Sequence, residues 1–250
     1  MRPFLLEVCC GSVEDAIRAA RGGADRIELN SCLFHGGLTP SIGELIVAKE
    51  SVSIPIMAMV RPRQGGFLYT EAEFRTAMAD AERLLVHGAD GLVFGFLHSD
   101  GSLDKERCKA ILSLMDKTKT SVFHRAIDVA PDWKRTLDGL MEMGVNRVLT
   151  SGQEPMALYG AQTIAEMMQY AKGVIEILPG AGINMKNAEQ ILHITGCNQI
   201  HLTRFISLSD PSTLNNRGIH FGGALYPPED RYDVIDSDYI QQLRAMGPGC

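Results

Sequence analysis

A short junction occurs four times in this sequence and constrains its fold more than any other feature. Each copy begins with Gly, continues with a small apolar residue and Asp or Asn, and leads into a short apolar run. The four copies are Gly23–Ile27, Gly88–Leu92, Gly144–Val148 and Gly196–Ile200. Glycine readily adopts the left-handed conformation that ends a helix, and Asp or Asn tolerates a tight turn. The junction is therefore typical of a helix-to-strand turn.

Three further apolar runs lie between the junctions, at Ile54–Ile56, Ser121–Phe123 and Ile175–Ile177. Two kinds of strand entry thus alternate along the chain, which predicts an eightfold β/α repeat. The length of 250 residues suits a closed barrel of eight such units. We predict an α/β protein with one domain over residues 1–250, a single TIM (β/α)8 barrel. A long polar segment, 204–236, is inserted before its last helix and is expected to cap the barrel mouth or to form a dimer arm.

The same patterns place the individual elements. The predicted strands are Leu5–Cys10, Arg26–Asn30, Ile54–Val60, Gly91–Leu97, Ser121–Ala126, Arg147–Ser151, Ile175–Leu178 and Gln199–Thr203. The predicted helices are Val13–Arg21, Glu71–Val86, Lys105–Lys117, Trp133–Met143, Ala157–Ala171, Lys186–Ile194 and Ser237–Ala245.

Charge and cysteine content exclude several classes of function. A net charge of −6 disfavours nonspecific nucleic-acid binding, so we expect no nucleic-acid partner. The sequence has neither a basic run nor a long apolar span, and we expect no membrane partner and no signal peptide. Its six cysteines lack CxxC spacing, which favours reduced thiols and a cytoplasmic location.

Polar and glycine-rich segments follow the predicted strands and mark the candidate functional face. They are His35–Pro40, Arg61–Gly66, Asp128, Thr150–Gly152 and Pro179–Gly182. Residues that follow barrel strands lie at the C-terminal face, where barrel enzymes have their active sites. The Pro179–Asn184 segment either presents backbone N–H groups to an anion or serves only tight packing, and the sequence leaves both open.

Strand alternation predicts ionisable side chains inside the barrel. Glu7, Glu28, His201 and Glu176 each stand between apolar neighbours that should face the helices, and Arg61 shares a face with two methionines. Unpaired charges there would each cost several kcal/mol. These groups therefore form either a structural ion-pair network or a ligand site, and the convergence of carboxylates, Arg and His favours a site.

Several stretches carry a family resemblance. They are Leu6–Cys10, Gly22–Leu29, Gly36–Ser41, Met57–Arg63, Phe123–Ala126 and Arg147–Gly152. Together they resemble the CutC family, and the match extends to about Thr203. The resemblance implies a TIM barrel, a cytoplasmic homodimer and a disputed link to copper homeostasis. Its polar cluster would be Glu7, Glu28, Arg61, His124, Arg125, Asp128 and Ser151.

Departures from the family pattern bear on copper binding. Asn30 stands where family members often carry Cys, and the nearest cysteine is Cys32. His35 replaces a usual acidic residue, and Leu202 and Thr203 replace small Ser or Cys residues. The first and last departures weaken the case for thiol-based copper binding.

We therefore expect a small anionic ligand at the C-terminal face, and whether the protein is an enzyme stays open. The candidate catalytic residues are Glu7, Glu28, His124, Arg125 and Asp128. The candidate ligand-binding residues are Arg61, Arg63, Ser151, Gly152, Gly180, Gly182 and His201. No cofactor is certain. The alternative is a copper(I) protein with Cys9 and Cys32 as metal ligands and Met57 or Met59 beside them. Cys9 and Cys10 should point to opposite faces of their strand and cannot share an ion.

Overall fold

The computed structural model describes residues 4–216, 218–221 and 229–246. Eight parallel strands form a nearly closed barrel in the order β7-β6-β5-β4-β3-β2-β1-β8, which confirms the predicted fold. They are β1 (Leu5–Cys10), β2 (Arg26–Leu29), β3 (Ile56–Met59), β4 (Gly91–Phe94), β5 (Thr120–Phe123), β6 (Arg147–Thr150), β7 (Glu176–Pro179) and β8 (Gln199–Leu202). Gln199 donates a side-chain hydrogen bond to the Ile177 carbonyl at 3.2 Å and so links β8 to β7.

The helices are α1 (Val13–Arg21), α2 (Ile42–Ser51), α3 (Glu71–Val86), α4 (Lys105–Leu112), α5 (Trp133–Glu142), α6 (Ala161–Ala171), α7 (Ala188–Thr195) and α8 (Ser237–Ala245). Local chemistry fixes several starts, since Ser41 with Glu44 and Thr70 with Glu73 form capping boxes at α2 and α3. The prediction that α4 extends to Lys117 is wrong. The side chain of Asp116 accepts the Thr118 N–H and stabilises a turn there instead.

The repeated junctions behave as predicted. Their glycines have φ values between +69° and +95° and end the helices before β2, β4, β6 and β8. In three junctions the polar residue accepts a backbone N–H at the beginning of the neighbouring strand. These bonds are Leu6 to Asp25 at 2.7 Å, Ile56 to Asp90 at 2.8 Å and Ser121 to Asn146 at 2.8 Å. The junctions therefore form the N-terminal face, opposite the loops that carry Arg61 and Asp128.

The apolar residues and the charged residues of the fold occupy different places. The main hydrophobic core lies between the outward strand side chains and the helices, and includes Cys10. Inside the barrel, an apolar cluster of Met57, Met59, Val93 and Val122 occupies the side of β3 to β5. The interior on the side of β6 to β8, β1 and β2 is instead charged and polar. This division places the charged interior cluster on one side of the barrel.

The segment before α8 contains secondary structure that the sequence did not predict. Strands β9 (Phe205–Ser209) and β10 (Arg231–Ile235) pair antiparallel. Asp15, in the first turn of α1, accepts the Ile235 N–H at 2.8 Å, and this bond fixes β10 near the C-terminal face. The sequence predicts apolar anchors in this segment, and of these Leu225 and Tyr226 lie outside the described residues, whereas Phe205, Ile206 and Phe221 lie within them. In the described part of the chain, no helix combines the length and the apolar character that crossing a membrane requires.

Candidate functional site

Glu7 lies at the centre of the charged interior and is almost fully buried. One of its oxygens contacts Arg26 Nε at 2.5 Å, and the other contacts His201 Nδ1 at 2.7 Å. Burial alone would raise the pKa of Glu7. The His201 hydrogen bond and the charges of Arg26 and Arg147 overcome that effect and lower the pKa to about 2. Glu7 is therefore a carboxylate fully engaged by its partners, which fits a structural role better than a catalytic one.

Three further interior residues were missing from the predicted cluster. Arg26 donates to Gln199 Oε1 at 2.6 Å, and Arg147 pairs with Glu176 at 2.7 Å. Glu176 lies at the N-terminal end of the barrel with half of its side chain exposed, so it is remote from the mouth. Strand alternation could have found Arg26 and Gln199, because each stands two residues before an inward residue.

A second cluster lies closer to the C-terminal face, on β1, β2 and β8. Glu28 Oε2 accepts Asn30 Nδ2 at 2.9 Å, and it lies 3.6 Å from Cys9 Sγ and 4.0 Å from His201 Nε2. Among the described residues, Glu28 Oε1 is buried without a hydrogen-bond partner. Cys9 and Glu28 are paired in the parallel register of β1 and β2, which explains why they meet.

This second cluster has shifted protonation equilibria. Burial and the charge of Glu7 raise the pKa of Glu28, although His201 opposes the shift. Burial and the neighbouring Glu28 raise the pKa of the Cys9 thiol well above its usual value. Burial would lower the pKa of His201, but the charges of Glu28 and Glu7 raise it overall. The arrangement therefore favours protonated Cys9, Glu28 and His201 at moderately acid pH.

Cys9, Glu28 and His201 also form a potential metal-binding group. One ligand atom from each lies within 4.8 Å of the other two. The structure does not bring Cys32 into this group, since its exposed thiol contacts His35 Nδ1 at 2.9 Å. Cys10 faces the outer core while Cys9 faces inward, as strand alternation predicted.

Arg61 holds two loops together at the mouth. Its Nη1 and Nη2 atoms donate to four backbone carbonyls, those of His35, Gly36, Gly37 and Gly65, at 2.7–3.2 Å. Only Nε is left without a partner among the described residues, and it is buried. Arg61 can therefore offer one N–H to a ligand, not the two-pronged grip that its side chain usually provides.

The contacts of Arg63 do not support its predicted ligand-binding role, because its donors are engaged by the protein itself. Its Nε pairs with Glu73 at 2.6 Å, its guanidinium lies over the Tyr69 ring, and its remaining donors bind carbonyls of its own loop. Glu73 is the carboxylate of the α3 capping box, and it attracts Arg63 away from the mouth. An interaction between a loop and a helix start cannot be found from strand periodicity.

His124 is buried and packs against Phe67, with ring centroids 4.7 Å apart. Burial and the nearby charge of Arg61 lower its pKa to about 3, so the imidazole is neutral. Nδ1 accepts the Ala126 N–H at 3.2 Å, which assigns the ring proton to Nε2. Nε2 has no partner among the described residues. A Cβ on Gly95 would overlap the imidazole Cε1, so glycine is required there.

Arg125, Asp128 and Ser151 brace the loop after β6. Asp128 accepts Arg125 Nε at 2.8 Å, the Thr150 hydroxyl at 2.6 Å and the Ser151 N–H at 3.0 Å. The Ser151 hydroxyl in turn accepts from Arg125 at 2.7 Å. Because these bonds consume the acceptor capacity of Asp128, the predicted catalytic roles of Arg125 and Asp128 are not supported by the geometry. Both residues hold the loop in place.

The glycines of the neighbouring loops are explained by packing. A Cβ on Gly152 would overlap the Gly160 carbonyl, and one on Gly180 would lie 2.6 Å from Leu149 Cδ1. Gly182 has φ +68° and its carbonyl accepts the Asn187 side chain at 2.9 Å. These contacts favour the tight-packing alternative. Anion binding by Gly152, Gly180 and Gly182 stays a prediction.

Comparison with known proteins identifies the relatives of this chain. The model of the CutC family matches residues 4–206. A CutC family protein of Treponema denticola is 52% identical over 97% of this chain and 98% of its own length. The human copper homeostasis protein cutC homolog is 41% identical over 97% of this chain and 89% of its own length. The crystal structure of a CutC protein from Streptococcus agalactiae has a TM-score of 0.76 and 33% identity, and covers 80% of this chain and 99% of that one. The chain belongs to the CutC family.

Proposed function

We propose that the C-terminal mouth of this barrel binds a small anionic molecule and that the bound molecule undergoes proton transfer. One observation carries the proposal. Three buried polar groups of the described residues, Arg61 Nε, His124 Nε2 and the Tyr69 hydroxyl, lack a hydrogen-bond partner of good geometry, although the Arg61 side chain lies close enough to the Tyr69 hydroxyl to lower its pKa. All three can donate a hydrogen bond, and two of them can only donate in the states described above. A ligand with an acceptor oxygen would satisfy them.

The three donors belong to one neighbourhood. The Phe67 ring packs against His124, and the Arg61 guanidinium lies 5.5 Å from the Phe67 ring centre. Burial raises the pKa of Tyr69, while the nearby Arg61 lowers it, so the phenol keeps its proton. Each unsatisfied buried group costs about 1–3 kcal/mol, which a bound carboxylate or phosphate oxygen would recover. The positive charge of Arg61 favours an anion over a neutral ligand.

Glu28 is the best candidate for proton transfer. Its Oε1 has no hydrogen-bond partner among the described residues. Its pKa is raised, so it lies closer to neutral pH than that of an ordinary carboxyl, as a group that exchanges protons requires. Glu7 cannot take the second carboxylate role of a glycosidase, since both of its oxygens are engaged and its pKa is lowered. The arrangement therefore fits an isomerase or lyase that moves a proton better than a glycoside hydrolase.

Thermal unfolding with inorganic phosphate, sugar phosphates and small carboxylic acids tests the proposal. A ligand at one hundred times its Kd stabilises by about 2.7 kcal/mol, and about 2–4 °C per kcal/mol is expected for a chain of this size. Tyr69→Phe deletes one donor, so it should lower the affinity for the anion roughly tenfold and reduce the stabilisation accordingly. Tyr170→Phe, which removes an exposed hydroxyl on α6, is the matched control and should bind normally. An unchanged affinity in Tyr69→Phe, or no stabilisation by any anion, would reject the proposal.

Copper homeostasis is the second candidate, because it stands in the names of the mammalian relatives. The observation in its favour is the inward Cys9 thiol beside His201. Copper(I) prefers two or three thiolates or thioethers at one point, and Cys32 lies apart from Cys9. Cu(I) titration against a competing chelator in Cys9→Ser/Cys32→Ser would decide. Tight one-to-one binding that this variant loses, but that Glu28→Gln and His124→Asn keep, would favour copper(I) over the anion.

We also propose that the protein is a cytoplasmic homodimer and that the β9–β10 strand pair contributes to its interface. Ile206 and Tyr232 on these strands are 38% and 51% exposed, and Phe221 between them is 77% exposed. The register of the strand pair places Ile206 and Tyr232 on the same face, and exposed apolar side chains that lie together often mark an interface. Sedimentation should give a dimer that Tyr232→Glu disrupts, whereas a wild-type monomer would contradict the proposal.

A further inference from the structure

We propose that Cys9, Glu28 and His201 form a binding site for one divalent transition-metal ion, of the kind exemplified by Zn²⁺. The three ligands come from the adjacent strands β1, β2 and β8, near the C-terminal face of the barrel. The inference does not rest on the anion site, whose donors lie on other elements.

The distances within the trio suit such an ion. Zinc bonds of about 2.0–2.3 Å in a tetrahedron place neighbouring ligand atoms about 3.3–3.8 Å apart. Cys9 Sγ and Glu28 Oε2 are 3.6 Å apart, and Glu28 Oε2 and His201 Nε2 are 4.0 Å apart. The whole group lies within 4.8 Å. Side-chain shifts of up to about 1 Å would complete the geometry.

The surroundings hold the ligands in the required orientation. Glu7 accepts or shares the proton of His201 Nδ1 at 2.7 Å, which directs Nε2 toward Glu28. A carboxylate on the outer nitrogen of a histidine is the usual arrangement around protein-bound metals. Arg26 fixes Glu7 in turn, and Asn30 fixes Glu28 Oε2 at 2.9 Å. Glu28 is nearly fully buried, and its Oε1 lacks a partner among the described residues. A metal ion coordinated by the Glu28 carboxylate would compensate for this missing partner.

The donor set selects the class of ion. One sulfur, one nitrogen and one oxygen suit Zn²⁺ and similar borderline ions, whereas copper(I) prefers more sulfur and Mg²⁺ or Ca²⁺ prefers oxygen only. Three protein ligands also leave one coordination position, which is the pattern of catalytic rather than structural zinc sites. This inference and the proposed function share only Glu28, which carries protons in the metal-free protein and serves as a ligand in the loaded one.

Titration of the full-length, chelator-treated protein with Co²⁺ under reducing conditions tests the site. We expect one equivalent to bind, with a thiolate-to-cobalt charge-transfer band and the intense visible bands of a four-coordinate ion, and Zn²⁺ should displace it. Cys9→Ser should abolish the charge-transfer band. Cys32→Ser, which removes an exposed thiol outside the trio, is the matched control and should retain it.

Glu28→Gln and His201→Asn should weaken Zn²⁺ binding by more than the about 10–100-fold that loss of an outer partner causes. Circular dichroism checks that each variant folds. If His201→Asn unfolds, the comparison of Cys9→Ser with Cys32→Ser decides alone. A charge-transfer band that persists in Cys9→Ser, a band lost in Cys32→Ser, or no stoichiometric binding of either ion overturns the inference. A loss of anion affinity in Tyr69→Phe would leave the metal-site inference intact, so the two proposals fail separately.

Discussion

Replacing Glu7 with Gln tests whether the interior ion network stabilises the fold. The pKa of Glu7 falls from 4.5 to about 2 on folding. At about 1.4 kcal/mol per pKa unit, the charged form contributes about 3 kcal/mol to the free energy of unfolding at neutral pH. Because the folded pKa is depressed, this contribution is complete above pH 4.5 and is lost as the pH falls toward 2. Domains of this kind are stable by only about 5–15 kcal/mol, so the loss is measurable.

Below pH 4.5, the difference in stability between wild type and Glu7→Gln changes with pH mainly through Glu7 itself, although the substitution also removes a charge that raises the pKa values of His201 and Glu28. The Glu7 partner His201 is protonated below pH 4.5 in both the folded and the unfolded state, because its folded pKa is raised. Glu28, with a raised folded pKa, changes stability only above pH 4.5. Other carboxyls whose pKa is lowered are present in both proteins and cancel in the difference.

Urea unfolding between pH 6 and pH 2.5 is the assay. We expect wild type to exceed Glu7→Gln by about 3 kcal/mol at pH 6, with the gap closing below pH 4. Glu142→Gln is the control, because its ion pair with Lys105 is exposed to solvent and should stabilise the fold little. A gap between wild type and Glu7→Gln that stays constant from pH 6 to pH 2.5 would refute the reasoning.

Three further substitutions test other parts of the site. Gly95→Ala should destabilise by about 1–3 kcal/mol, measured by urea unfolding, since its Cβ overlaps His124. Asp128→Asn should loosen the loop after β6, seen as faster amide hydrogen exchange there, while the affinity for anions stays unchanged. Asp15→Ala should remove the bond to the Ile235 N–H and increase proteolysis of the β9–β10 strands, with the barrel intact. Equal exchange or equal proteolysis in variant and wild type would contradict the last two.

Short-range patterns predicted the barrel because its determinants are local. The junction glycines end helices through their own backbone conformation, and the alternation of strand residues decides which side chains face inward. Both rules held for the four junctions and for the inward positions of Glu7, Glu28 and His201. The β9–β10 pair escaped prediction because residues 210–230 separate its strands, a connection far longer than the loop of a hairpin.

The roles of the arginines could not be read from the sequence. Arg63 pairs with the capping carboxylate Glu73, and Arg125 pairs with Asp128. Arg61 instead donates most of its N–H groups to backbone carbonyls. Each of these partners lies on a loop or a helix start whose position depends on the whole fold. Residue type and strand register give the location of an arginine, but only the three-dimensional structure shows which acceptors it meets.

The difference between Glu7 and Glu28 indicates where chemistry is possible in this barrel. Both carboxyls point inward from neighbouring strands and both are buried, yet the pKa of one is lowered and that of the other is raised. The cause is the set of partners, since Glu7 has a hydrogen bond with His201 and contacts Arg26, whereas Glu28 has the neutral Asn30 as its hydrogen-bond donor. Pairs of carboxyls whose environments separate their pKa values in this way usually mark an active centre. The charge of Glu7 itself helps to raise the pKa of Glu28, so the structural network below maintains the reactivity of the group above it.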